Sequence, residues 1–370
     1  MVLLPLAMAL LLATYGGGSG GSPLDGNPPP DGNLPPFNKQ PPVAVAGCST
    51  TPQDTVLTGF LQATDRDNNS NELTFSLNPN VPNVSGPIWT AKGSIQLLDT
   101  TTGEFSYTPS QLGPRGIDTF QFRVDDPDSF AIGTETVIIN QAIMPLGDSI
   151  TQGAFGNGQP PLGERVGYRR KLYDDLTTSG FHVDFVGILR NGLAANPPIA
   201  DPDHEGHRGF TADEVANNVR TWLMLNPADI ILLHIGTNDI NTDSPADTTQ
   251  DINNILDTID QWERDIGTHV TVFLAKIIER TTLDGQTCNG CNAQVASLNA
   301  QIDAIPANRP GDDIVIVNQH DALTYPNDMS PQRNRSGNTV YVHPNPTGYN
   351  KMADTWLAAL LASGKLAKCE

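Results

Sequence analysis

From Ala142 onward the chain alternates short apolar runs with helical stretches, and no other feature constrains its fold as tightly. The runs are AIMPLG (142–147), HVDFVG (182–187), DIILLHIG (229–236), VTVFLAKI (270–277) and DIVIVN (313–318). Most are apolar at nearly every position, as a strand covered on both faces must be. Thr211, with Glu214 three residues on, forms a capping box that opens a helix running to Leu225. Ile252, Ile255, Leu256 and Ile259 fall on one helical face, and a last helix over roughly 346–363 carries Tyr349, Met352, Trp356, Leu357 and Leu360. Strands alternating with helices predict an α/β domain, a parallel sheet covered on both sides, over 141–370. Ligands of such sheets sit beyond the carboxyl ends of the strands.

Residues 43–140 read differently. LTFSL, GEFSYTPS, DTFQFRV and TETVIIN alternate apolar and polar residues, with Gly, Asn, Asp and Pro between them, which predicts an all-β sandwich. Residues 16–42 are a Gly- and Pro-rich tether, and residues 1–15 a signal-like segment whose apolar run, VLLPLAMALLLA, is too short for a membrane span. No Lys or Arg precedes that run, and no Cys stands where a lipoprotein signal would need one. Export is expected, to the outside or the cell surface, and lipid anchoring is not. Gly17-Gly18-Ser19-Gly20-Gly21 satisfies the G-x-S-x-G hydrolase pattern, but a flexible tether offers no strand–helix elbow to hold it.

Three polar signals fall at strand ends or in loops that reach them, and a fourth precedes the last helix. Ser149 ends the first strand in LGDSITQG, where the N–H groups of a following helix favour developing negative charge. HEGHRGFTADEV contains Gly209, whose backbone can approach a substrate oxygen closely. Asn238 in GTND offers an uncharged amide donor. His343 lies in VHPNPTGY. His204, Glu205 and His207 lack the i, i+4 spacing of a helical zinc site, so no metal or cofactor is expected.

In this order the blocks GDSIT, G, GTND and HPN resemble the SGNH hydrolase superfamily, also called GDSL esterases, over residues 142–365. The stretch 43–140 is similar to the cadherin-like, immunoglobulin-type domains of bacterial surface proteins. The first resemblance implies a three-layer α/β/α, flavodoxin-like fold and ester hydrolysis without metal. Carried over block by block, Ser149 is the nucleophile and His343 the general base, with an oxyanion hole built from Ser149 N–H, Gly209 N–H and the Asn238 amide. EGHRGFTADEV further looks like the carbohydrate esterases that deacetylate xylan. The expected substrate is therefore a small acyl ester or an acetylated polysaccharide. A general arylesterase and a catalytically impaired adhesion protein are the alternatives. A neutral imidazole base implies activity rising through about pH 6–7. The second resemblance raises Asp65 and Asp67, with Asp125, Asp126 and Asp128, as calcium ligands, against the commoner use of such residues as turn caps.

The family places an Asp three residues before its histidine, and Val340 occupies that position. Asp328 or Asp321 could fold back into the role, a backbone carbonyl could take it, or the site could be impaired. Four cysteines, Cys48, Cys288, Cys291 and Cys369, allow three pairings, with a small disulfide expected in CNGC. The net charge of −20 argues against nucleic acid and anionic membranes as partners.

Overall fold

The computed structural model describes residues 39–68, 72–111, 115–240, 242–282, 291–333, 337 and 339–369. The signal-like segment, nearly all of the tether, its G-x-S-x-G run and Cys288 lie outside the described residues.

The β-domain is built from β1 (Val43–Val45), β2 (Gly47–Thr51), β3 (Leu57–Phe60), β4 (Gln62–Thr64) and β5 (Thr74–Ser76). Its second half supplies β6 (Ile88–Trp89), β7 (Gly93–Leu97), β8 (Glu104–Pro109), β9 (Gly116–Asp125) and β10 (Phe130–Ile139). Two four-stranded sheets, β2-β10-β9-β5 and β3-β8-β7-β6, make an all-β sandwich. Strand β9 buries every second residue, and Phe120, Phe122 and Val124 meet Phe105, Tyr107 and Leu97 of the facing sheet.

A single residue, Asn140, separates β10 from the α/β domain. That domain contains β11 (Gln141–Gly147), α1 (Ser149–Gln152), α2 (Arg169–Thr178), β12 (Val183–Phe185), β13 (Leu189–Arg190) and β14 (Asp203–Gly206). It continues through α3 (Ala212–Leu225), β15 (Ile230–His234), α4 (Pro245–Ile266), β16 (Thr271–Lys276), β17 (Thr281–Thr282) and α5 (Cys291–Asn308). The last elements are β18 (Ile314–Asn318), α6 (Gln319–Ala322), β19 (Met329–Arg333), β20 (Thr339–Pro344) and α7 (Pro346–Ser363).

The main sheet runs β13-β14-β11-β15-β16-β18, with β12 also on β11. β12 pairs the first half of β11 and β14 its last two residues, both in parallel. Counting that split edge as one strand, the order is 2-1-3-4-5, the flavodoxin-like winding whose switch point lies between β11 and β15. One face is covered by α3, α4 and α5 through residues such as Val215, Trp222, Ile255 and Leu298. The other is covered by α2 and α7 through Leu172, Leu176, Met352 and Trp356. This is the three-layer α/β/α arrangement. A separate antiparallel sheet, β17-β20-β19, stands beside it.

Cys48 of β2 and Cys369 form a disulfide that ties the β-domain to the C-terminal segment across 321 residues of sequence. Cys291 is also disulfide-bonded. Among the described residues, no helix is long and apolar enough to cross a membrane.

Candidate active site

Three neighbouring parallel strands end at one level. Gly147 of β11 pairs with Gly206 of β14 on one side and with His234 of β15 on the other. The three sequence blocks therefore leave the sheet together: Ser149 lies two residues beyond that level, Gly209 three and Asn238 four. Bonds between the loops hold them there. His207 N–H donates to Gly147 O at 2.9 Å, Asn238 Nδ2 to Phe210 O at 2.8 Å, and Ala212 N–H to Asp239 Oδ1 at 2.9 Å.

Ser149 is the first residue of α1, and Asp148 caps that helix by accepting from Ile150 N–H at 2.8 Å. The Ser149 N–H has no acceptor within the helix, as at every helix start. Gly209 occupies the third position of a turn closed by Phe210 N–H on His207 O, with φ +85°. A side chain there is strained whatever the space around it. Asn238 spends one amide hydrogen on Phe210 O and keeps the other. The three candidate oxyanion donors thus occupy three tethered loops at the mouth of the β11–β15 switch point.

The nucleophile and base candidates meet. Ser149 Oγ lies 2.9 Å from His343 Nε2, although 194 residues separate them, and both residues are buried. His343 arrives on β20, whose pairing with β19 shifts register between Ser330 and Pro331 of β19. Ser330 faces His343 and Pro331 faces Tyr341, so Val342 is an extra residue, a bulge. Strand side chains alternate, so without this insertion His343 would point to the opposite face from Val340. The bulge swings it back towards the face shared by Val340 and its ladder partner Gln332. There His343 Nδ1 is 3.3 Å from Gln332 Oε1.

Gln332 was not singled out by sequence, and it fills the place left by Val340. An amide oxygen accepts only from a protonated Nδ1, which leaves the Nε2 lone pair facing the Ser149 hydroxyl. A neutral acceptor fixes that tautomer as a carboxylate would, but stabilises an imidazolium less. The His343 ring is pushed down to about 4, first by burial and then by the positive charges of Arg208, Arg280 and Arg165. If His343 is the base, this downward shift places the acid limb of activity below the pH 6–7 expected from the reference value.

Neither carboxylate expected to orient the imidazole does so. Asp328 is buried and accepts from Thr324 N–H and from Lys351 Nζ, both at 2.6 Å, which fastens the start of β19 to α7. Burial pushes this carboxyl up, but the Lys351 and Thr324 bonds outweigh it and hold it below its ordinary value. Asp321 is exposed and engages His320 Nδ1 and Asn318 Nδ2, each at 2.7 Å.

In the β-domain, Asp65 accepts from the N–H groups of Asp67 and Asn68 at 2.7 and 3.1 Å, and Asp67 accepts from Gln40 N–H at 2.6 Å. Asp126 likewise accepts from Asp128 N–H, and Asp125 is held by Arg123. Asp65 and Asp126 thus act as turn caps and Asp125 as an ion-pair partner. Among the described residues no group of three or more His, Cys, Asp or Glu is placed to hold a metal. His204 is buried, its Nε2 near Asn191 Oδ1 at 3.0 Å and its Nδ1 accepting from Gly206 N–H at 2.9 Å. His207 bonds Glu205 at 2.7 Å and stacks on Trp222 with ring centroids 4.3 Å apart.

Beneath the site, burial raises Asp148 to about 7 and Asp239 to about 6. Burial thus favours the uncharged form of Asp148, next to Ser149.

Residues 143–356 match the family described as GDSL-like Lipase/Acylhydrolase, and residues 38–140 match the Bacterial Ig domain. A multidomain esterase of Ruminococcus flavefaciens is 27% identical over 241 residues, 58% of this chain and 28% of that protein. The chain therefore spans little more than a quarter of that curated relative. Among solved structures, a family 3 carbohydrate esterase of Clostridium thermocellum shows 28% identity, covering 60% of this chain and 96% of the other at a TM-score of 0.47. A family 3 carbohydrate esterase of Talaromyces cellulolyticus shows 26% identity over 60% and 97% of the two chains, at a TM-score of 0.46. The family match spans more than half of the chain, which belongs to the GDSL-like lipase/acylhydrolases and carries the domain of a carboxylic ester hydrolase behind a bacterial Ig domain.

Proposed function

We propose that the protein is a secreted serine esterase that removes short acyl groups, acetyl foremost, from carbohydrate. The observation that carries the reading is the 2.9 Å approach of Ser149 Oγ to His343 Nε2, with Nδ1 facing an acceptor. In this reading Ser149 Oγ attacks the acyl carbon as His343 Nε2 takes its proton. The carbonyl oxygen becomes an oxyanion held by Ser149 N–H, Gly209 N–H and Asn238 Nδ2, each worth roughly 3 kcal/mol when preorganised. The imidazolium then protonates the leaving alcohol, and water activated by the same ring releases the acid. An imidazolium as acidic as this one is an effective proton donor to a poor leaving group such as a sugar alkoxide, at the cost of a weaker base in the first step.

Carbohydrate as the alcohol is supported by the run EGHRGFTADEV. Secretion is supported by the Cys48–Cys369 disulfide, a bond that persists in oxidising compartments. We read residues 43–140 as the spacer or binding domain and 141–370 as the catalytic one.

The test is acetate release from 4-nitrophenyl acetate and from acetylated xylan by the wild type and by Ser149→Ala. The variant should lose at least about 10³-fold in kcat with folding intact. No turnover of either ester by the wild type would overturn the reading and leave an impaired adhesion protein. An aryl ester outpacing xylan by orders of magnitude would replace it with a general arylesterase.

A further inference from the structure

We propose that Arg169 is a positioning residue for acyl transfer, whose guanidinium sets the helix that carries Ser149 against the strand that leads to Gly209; this rests on the acyl-hydrolase reading above. Arg169 opens α2, and its side chain is fully buried. A guanidinium has five N–H donors in a fixed plane. Here it makes five bonds, each to a main-chain carbonyl. Nε donates to Thr151 O at 3.0 Å. Nη1 donates to Pro202 O at 3.0 Å and Asn191 O at 3.4 Å, and Nη2 to Arg165 O at 3.0 Å and Gln152 O at 3.3 Å.

Two of those carbonyls belong to α1. The last carbonyls of a helix have no partner within it. In α1 Gly153 N–H closes on Ser149 O and Ile150 O, at 3.1 and 3.0 Å, and Arg169 takes Thr151 O and Gln152 O. Asp148 holds the other end through Ile150 N–H. One turn of helix is too short to keep its shape unaided. The direction of the Ser149 N–H, and with it that of Oγ, therefore depends on these two clamps. Arg165, another acceptor of Arg169, returns to the same helix through its own bond to Gln152 Oε1 at 2.7 Å.

The remaining acceptors lie by β14. Pro202 directly precedes that strand, and Asn191 reaches it through Oδ1, 3.0 Å from His204 Nε2. β14 ends at Gly206, and the loop beyond it carries Gly209. Arg169 thus bonds both to the helix of Ser149 and to the approach of the Gly209 loop, which supply two of the three candidate oxyanion donors. Lysine could not do the same, since its donors share one nitrogen and cannot meet carbonyls spread over several segments. An apolar side chain could fill the space, but it would leave those carbonyls buried and unpaired.

The test compares Arg169→Lys, which keeps the charge and loses the fork, with Arg169→Met, which keeps much of the volume and loses both. Both should melt at lower temperature. Folded enzyme is counted by near-UV circular dichroism and a cooperative melt. Per folded enzyme, kcat on 4-nitrophenyl acetate should fall about 10²-fold in each, the loss that a displacement of about 1 Å can bring. KM should stay within about threefold, because the ground-state carbonyl carries little of the charge that the donors are placed to hold. Methylboronic acid, which adds to a serine Oγ as a tetrahedral anion, should lose affinity by a similar factor.

Wild-type kcat and boronate affinity in folded variants overturn the proposal, make Arg169 a residue of the fold alone, and leave the esterase reading standing. A rise in KM at unchanged kcat also overturns it, since that marks substrate binding. So does full recovery of kcat in Arg169→Lys, which shows that charge without the fork suffices. If one variant does not fold, the other decides on the same readouts; if neither folds, the role is structural and the proposal falls. No turnover by the wild type sinks the acyl-hydrolase reading itself.

Discussion

Replacing Gln332 by Glu puts a carboxylate where the amide oxygen now lies 3.3 Å from His343 Nδ1. At that distance an opposite charge is worth roughly 5 kcal/mol at the effective dielectric that suits protein sites, about 3–4 pKa units. Desolvating the new carboxylate takes part of this back, so the range commonly seen for a close opposite charge, about 1–3 units, is the better expectation. The imidazole begins at about 4. In the variant it should titrate between about 5 and 7. The sign follows from the role of the ring. Activity needs neutral His343 and is lost as pH falls through its pKa, so the acid limb of kcat/KM lies near pH 4 in the wild type and moves upward in Gln332→Glu. Gln332→Ala should lower kcat only about 2- to 13-fold, the worth of one neutral hydrogen bond of about 0.5–1.5 kcal/mol. The loss of a triad carboxylate is nearer 10⁴-fold. The assay is the pH profile of kcat/KM on a short-chain ester, followed by pH-stat from about pH 3.5 to 9. An acid limb that stays put in Gln332→Glu, or a loss of 10³-fold or more in Gln332→Ala, would refute the assignment of Gln332 as the residue that positions the ring.

Asp328→Ala should cost about 2–3 kcal/mol in denaturant unfolding, because it removes charge-assisted bonds to Thr324 N–H and Lys351 from a buried position. Its kcat, per folded enzyme, should stay within about threefold of wild type, against the 10³–10⁴-fold loss expected of an orienting acid. The double variant Cys48→Ser, Cys369→Ser should lose about 2–4 kcal/mol, read as a lower Tm, since the bond closes a very long loop. Its esterase rate at 25 °C should be unaltered, and a matching loss of kcat would mean that the tie reaches the site.

What could be read from sequence was local or periodic. The apolar runs that became β11, β15, β16 and β18 had to be buried strands, and the segment after the first of them had to hold Ser149 at the sheet's edge. The short strand β14, DHEG, gave no such signal. Its four residues include three ionisable ones, buried or half-buried because each finds a partner, His204 on Asn191 and Glu205 on Ile188 N–H among them. Gln332 was hidden for a different reason. Its role comes from the register of β19 against β20 and from one extra residue, Val342, and pairing between strands is not written in either strand alone. Beside His343 the fold supplies an uncharged acceptor in place of an acid. Asp328 was a reasonable candidate by residue type, but its carboxylate is already committed to Lys351.

The overall charge and the charge at the site point in opposite directions, and distance decides between them. A net charge of −20 repels polyanions such as nucleic acid at long range. At physiological salt that repulsion fades beyond about 8 Å, whereas groups in contact with a bound ester are hardly screened. The field felt by a reacting carbonyl is therefore set by what lines the pocket. Asp148 is raised towards neutrality by burial, Gln332 is uncharged, and Arg165, Arg208 and Arg280 all act on His343. Each of these choices makes the site more positive than an Asp-oriented one. Such a site holds a forming oxyanion well and takes up a proton reluctantly.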